Sequence, residues 1–74
     1  MKYVLTKTHF YIGASSRTSY GISIVEDMEE MPGVIESITD VSENMQEVER
    51  IIEYCNNARV SITELSDVIE MFIG

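Results

Sequence analysis

One histidine, His9, and one cysteine, Cys55, set the limits of the nucleophilic chemistry open to this chain. A thiolate nucleophile needs an imidazole within hydrogen-bond reach to take its proton. His9 falls in an extended, Thr- and Tyr-rich segment, whereas Cys55 falls on an amphipathic one in the opposite half of the chain. Nothing in the pattern brings them together. Cys55 reads as a small core residue on a helix stripe, and His9 as an exposed or interfacial strand residue. With one residue of each preferred ligand type, a zinc site of about four ligands has no donor set.

The carboxylates are more numerous, at 13 Asp+Glu against 5 Lys+Arg, for a formal net charge of −8. Four of them, Glu26, Asp27, Glu29 and Glu30, crowd one stretch ahead of Pro32-Gly33. That run lacks the alternating ligands and the glycine of an EF-hand loop. General acid and base work needs two carboxyls in a cleft with their pKa values pushed apart, and these acids sit in a connection and on outer helix faces. They read as solvated charge. Gly13 and Gly21 are isolated, and neither phosphate-binding glycine pattern occurs. Tyr3, Phe10, Tyr11 and Tyr20 have the composition of a base-stacking sheet, but that mode needs a positive groove, and the global charge repels phosphate and anionic lipid alike. The expectation is therefore no catalytic residue, cofactor or metal, with no direct nucleic-acid or membrane binding and no small-molecule ligand.

The elements that must carry these residues follow from composition and period. Residues 2–12 hold Tyr, Val, Thr, Phe and Ile with no Gly or Pro, which predicts a strand, although both of its faces mix polar with apolar side chains. Gly13-Ala14-Ser15-Ser16-Arg17 predicts a turn, and residues 18–26 a second strand with Tyr20, Ile22 and Ile24 on one face. Gly21 in mid-strand points to a bulge, a close approach by another chain or a weak spot. After the acidic connection, Val34-Ile35-Glu36-Ser37-Ile38-Thr39 predicts a short third strand, with Asp40-Val41-Ser42 leading to a helix.

Met45, Val48, Ile51, Ile52 and Cys55 form one helical stripe, so a helix starts at about Glu43 or Met45, capped by Ser42 or Asn44. Asn56-Asn57 is the expected stop, because Asn tolerates the left-handed conformation. Ser61-Ile62-Thr63-Glu64 fits a capping box, with Val60 and Leu65 at the spacing of a hydrophobic staple. Ile62, Leu65, Val68, Ile69 and Phe72 then mark a second helix. The predicted fold class is α+β: an antiparallel β-hairpin or three-stranded meander packed against a C-terminal αα-hairpin. It is read as one domain over residues 1–74, β-rich to residue 41 and two-helical from residue 42.

The second half also carries a resemblance. Thr18-Ser19-Tyr20-Gly21-Ile22, Ile38-Thr39-Asp40-Val41-Ser42, Val48-Glu49-Arg50-Ile51-Ile52-Glu53-Tyr54-Cys55-Asn56 and Leu65-Ser66-Asp67-Val68-Ile69-Glu70-Met71-Phe72 are the segments concerned. Over residues 18–74 they resemble a family of short bacterial proteins known only as a domain of unknown function and frequent in anaerobic Gram-positive bacteria. The resemblance implies a cytosolic domain of a β-hairpin and two helices, and no catalytic residue that could be carried over. The family often has Pro where this chain has Ser61-Ile62-Thr63, a departure that touches only the helix cap.

At 74 residues and 45% hydrophobic composition the chain is too apolar for a disordered tail, yet a domain of this size buries only about 60% of its unfolded surface. A lone cysteine and a start that becomes polar within a few residues point to a reducing cytosol, and no window approaches the roughly 18 apolar residues of a membrane span. The function expected is a cytosolic protein–protein interaction module that self-associates or binds another protein, without catalysis. Its candidate partner-binding residues are Tyr3, His9 and Tyr11 on the first strand and Glu26, Asp27, Glu29 and Glu30 in the acidic run. The alternative is an acidic inhibitor or nucleic-acid mimic, such as a phage anti-defence protein, occupying a basic channel of an enzyme.

Overall fold

The run without Gly or Pro becomes strand β1, Lys2–Ile12, and pairs antiparallel with β2, Ser15–Glu26, from Lys2 opposite Val25 to Ile12 opposite Ser15. This computed structural model describes residues 1–26 and 33–73. The connecting turn is only Gly13-Ala14, with Gly13 at φ 61°, where a side chain is disfavoured and glycine is not. Ser15, Ser16 and Arg17, expected in the turn, are therefore strand residues. A two-residue turn matches the twist of the flanking strands, and these polar side chains are exposed on a hairpin arm that reaches beyond the core. The acidic run lies at the next junction: Glu26 ends β2, Gly33 begins β3, and the rest of that run lies outside the described residues.

Strand β3, Gly33–Ser42, completes a meander of order β1-β2-β3. It is longer than predicted, because Asp40-Val41-Ser42 stays in the sheet instead of leading into the helix. Its pairing to β2 shifts register twice, once between Ile24 and Val25 and once between Tyr20 and Ile22, where Ser42 and Ile38 are the partners. Asp40 takes φ 55° in that second irregularity and accepts a hydrogen bond from Ser19 Oγ at 2.6 Å. Gly21 lies opposite, and a Cβ there would overlap the Ile38 carbonyl oxygen and sit 3.0 Å from Thr39 Cα. Of the readings open for Gly21, the bulge is the correct one.

Helix α1, Met45–Ala58, starts where Asn44 Oδ1 accepts from the N–H groups of Gln46 and Glu47, which settles its cap in favour of Asn44. Ser42 Oγ accepts in turn from the Asn44 N–H. The helix does not stop at Asn56-Asn57. Arg59 adopts the left-handed conformation, φ 52° and ψ 50°, and its N–H returns to Cys55 O. Ile62–Glu64 forms a 3₁₀ turn that runs into α2, Leu65–Ile73. Ser61 and Glu64 do meet, but side chain to side chain, Ser61 Oγ donating to Glu64 Oε1 at 2.9 Å, so the predicted capping box does not engage the backbone through Ser61. The tighter 3₁₀ geometry lets Glu64 N–H take Ser61 O directly.

Val48, Ile51 and Cys55 of α1 pack on Tyr3, Ile22 and Ile24 of the sheet, and Val60, Leu65 and Val68 close the cluster. The two helices do not share the sheet equally, as an even αα-hairpin would: α1 lies against all three strands, whereas α2 packs chiefly on α1. Phe72, at the end of the α2 stripe, is exposed for that reason, and Met45 is exposed in the first turn of α1.

Replacement of Gly21 by Ala is expected to cost about 3 kcal/mol, since backbone and not a flexible side chain stands in the way. Gly13→Ala, strained only by its positive φ, should cost about 1 to 2 kcal/mol. Urea denaturation of the two variants should rank them in that order, and an unchanged midpoint for Gly21→Ala would contradict the bulge packing.

Candidate functional site

Cys55 and His9 have separate surroundings in the fold. Cys55 is fully buried in the core, and burial pushes its thiol pKa up, so the sulfur stays protonated and inert. His9 stands on the exposed arm, with its Nδ1 3.2 Å from Thr18 Oγ1 and its ring edge-on to Tyr11 at 5.3 Å. No group of three or more His, Cys, Asp or Glu side chains among the described residues is placed to hold a metal ion. One depression, lined by Met1, Tyr3, Cys55, Asn56, Arg59 and Val60, brings no acid and base together. A further concavity is an open groove where Tyr54 of α1 meets Phe72 of α2, ring centroids 5.6 Å apart.

The three candidate residues of β1 part company. All lie on the helix-facing side, as the pairing of Tyr3 with Ile24, His9 with Thr18 and Tyr11 with Ser16 requires. Tyr3, however, is buried at 4% exposure, its hydroxyl donating to Val60 O, so it belongs to the core and is not a free partner-binding residue. Its pKa is raised by burial first, then by Cys55 and Glu64. His9 and Tyr11 are exposed, and Tyr11, at 72%, is the most open of the large hydrophobic side chains among the described residues. The reason is length. An 11-residue strand spans about 37 Å, while a 14-residue helix spans about 21 Å. With α1 fastened at its C-terminal end to the start of β1, the far third of the hairpin lies beyond the helix layer. Glu26 is half-exposed, 4.0 Å from the terminal ammonium, whereas Asp27, Glu29 and Glu30 lie outside the described residues.

Asn56 was not visible as a functional residue in the sequence, where it read only as a helix stop. Its Oδ1 accepts from Tyr3 N–H at 2.9 Å and its Nδ2 donates to Tyr3 O at 3.0 Å. Both backbone groups of Tyr3 therefore point away from β2. By the alternation of an antiparallel ladder, those of Leu5, Lys7, His9 and Tyr11 point the same way. Asn56 covers the first of these outward positions. Among the described residues nothing pairs with the next four, so residues 5–11 form an open sheet edge.

The molecule is thus an α+β domain of a three-stranded antiparallel meander followed by two helices, with one edge of the sheet uncovered. The chain belongs to DUF6514, a family of unknown function whose model matches residues 1–74. The match takes in β1 and the turn as well as the region 18–74 that carries the resemblance. No curated protein and no solved structure matches the chain.

Tyr3→Phe should cost about 1 to 2 kcal/mol by leaving the Val60 carbonyl unpaired. The raised pKa values also fix the sign of an alkaline effect. Protons are held more tightly by Cys55 and Tyr3 in the folded state, so the stability they contribute is complete below their ordinary values, 9.0 and 10.0, and falls as pH rises through the folded ones. Urea midpoints measured from about pH 7 to pH 11 should decline above about pH 9, less steeply in Tyr3→Phe beyond about pH 10. A midpoint that climbs over this range contradicts the burial of both groups.

Proposed function

We propose that this protein is a cytosolic, non-catalytic interaction module that self-associates by adding a strand at the outer edge of β1. The observation that carries the reading is the contrast between the two edges of the sheet. β1 pairs with β2 through eleven consecutive residues with no register shift, so its outer edge is regular. β3 is interrupted twice and holds Asp40 at positive φ, the kind of irregularity that blunts an edge against pairing. A regular strand with free N–H and C=O groups takes up another strand through main-chain hydrogen bonds, and side chains on alternate positions supply the selectivity.

Size and surface support the same reading. The radius of gyration is 13.2 Å, against about 11 Å for a compact chain of this length, because the hairpin arm projects. Tyr11 and Ile12 on that arm are exposed apolar area that a monomer gains nothing by displaying. No helix among the described residues is long and apolar enough to cross a membrane, and the one cysteine is free and buried, the latter compatible with a reducing compartment. The acidic-mimic alternative draws mainly on the run at 26–30. Of the acids from Glu43 to Glu53, the other stretch that alternative uses, Glu43 is paired with Arg17 at 3.2 Å, while Glu49 and Glu53 are exposed on α1.

The test exploits the outward N–H of His9. His9→Pro deletes that donor and leaves the β1-β2 ladder intact, since only the outer side loses a group, while His9→Ala removes the imidazole and keeps the donor. In sedimentation equilibrium the wild type and His9→Ala should self-associate, and His9→Pro should do so about tenfold or more weakly with an unchanged circular dichroism spectrum. Equal association by all three variants rules out the β1 edge.

A further inference from the structure

We infer that the occupant of the β1 edge is a second copy of this chain, paired β1 to β1 antiparallel about a two-fold axis at Thr8. The inference rests on the self-associating reading and adds the register. In a two-fold antiparallel pair, if residue i faces residue j, then j faces i. The free outward groups belong to Leu5, Lys7, His9 and Tyr11. One register returns this set to itself: Leu5 faces the partner's Tyr11, Lys7 faces the partner's His9, and Thr8 faces the partner's Thr8.

The neighbouring registers fail for reasons in the structure. A slip toward the N-terminus sets Lys7 against the partner's Lys7, a like-charge pair. It also sends the partner's Tyr11 to Tyr3, whose backbone groups Asn56 already holds. A slip the other way sets His9 on the partner's His9 and carries Leu5 to the partner's Gly13, inside the turn, so a ladder pair is lost. Register is specified from both ends, by the Asn56 amide and by the two-residue turn.

Side chains fit the chosen register. Tyr11, 72% exposed in one copy, gains the partner's Leu5 as an apolar neighbour on the helix side. On the other face Thr6 meets the partner's Phe10. The joined sheet has six strands in the order β3-β2-β1-β1-β2-β3. Its outer edges are then the two interrupted β3 strands, so the assembly closes at two copies instead of growing into a filament.

Cysteine scanning reads the register directly. The backbone groups of Thr8 point toward β2, so across the new junction the two copies of Thr8 form a non-hydrogen-bonded pair, with Cα atoms about 4.5 Å apart, at the short end of disulfide range. Under mild oxidation Thr8→Cys should form a disulfide dimer about tenfold faster than His9→Cys, and native Cys55, fully buried, should stay reduced. Thr6→Cys and Phe10→Cys should each remain uncrosslinked alone and form a mixed disulfide when combined. A wild type that dimerises in sedimentation while Thr8→Cys fails to cross-link, or while His9→Cys cross-links first, overturns the register and leaves self-association standing. A wild type that stays monomeric up to millimolar concentration overturns both.

Discussion

The side-chain amide of Asn56 lies against the backbone of Tyr3 as a neighbouring strand would, accepting from its N–H and donating to its C=O. Much of the molecule's layout depends on that pairing. It joins the start of the chain to the last turns of α1, and the Tyr3 hydroxyl extends the tie to Val60, just past the left-handed residue that ends the helix. Two short segments distant in sequence are held by three hydrogen bonds around a buried ring. Because the tie acts at one end of β1, the helix layer is anchored there, and the longer strands run on without cover.

Small residues play a second part in shaping the sheet. Ser19, Gly21 and Ser23 face away from the helices, yet Ser19 and Ser23 are almost fully buried. Each finds a polar partner on β3, Ser19 at Asp40 and Ser23 at Ser37, whose hydroxyl is 2.8 Å away. A central strand with small side chains lets the irregular β3 approach closely, and the absence of a Cβ at Gly21 admits the Ile38 carbonyl. Thr6 Oγ1, beside this crowded spot, is buried without a hydrogen-bond partner among the described residues. The cost of that orphaned hydroxyl is one sign of how tightly the bulge is packed.

Sequence patterns disclosed the elements better than their junctions. The limits of β1 were legible because eleven residues rich in β-branched and aromatic side chains run without Gly or Pro, and α1 because its apolar stripe has one phase. The start of β2 was not, since Ser15, Ser16 and Arg17 have turn composition and became strand only because Gly13 makes the turn in two residues. Asp40 misled in the same way, a polar residue at positive φ kept inside a strand by Ser19. Of the candidate residues, His9 lies on an exposed strand face, one of the two settings its composition allowed, and Tyr11 is exposed beside it. Tyr3 was misplaced because both faces of β1 mix polar and apolar residues, and only its long-range contacts show which tyrosine is core. The role of Asn56 had no local signal, because its partner lies 53 residues away.

The distance between Tyr3 and Val60, 57 residues, also governs the order in which structure can form on a chain emerging from a ribosome. The hairpin of β1 and β2 needs only local contacts and can close early, on the microsecond scale typical of hairpins. The tie to α1 cannot form until residue 60 has been synthesised. At roughly 5 to 20 residues per second, the interval between the two events is on the order of seconds. During it the hairpin carries Tyr3, Ile22 and Ile24 without their helix cover, and the outer edge of β1 is free from its first position onward. Nascent copies on one polysome are then exposed to one another at the very strand whose first outward position Asn56 later occupies.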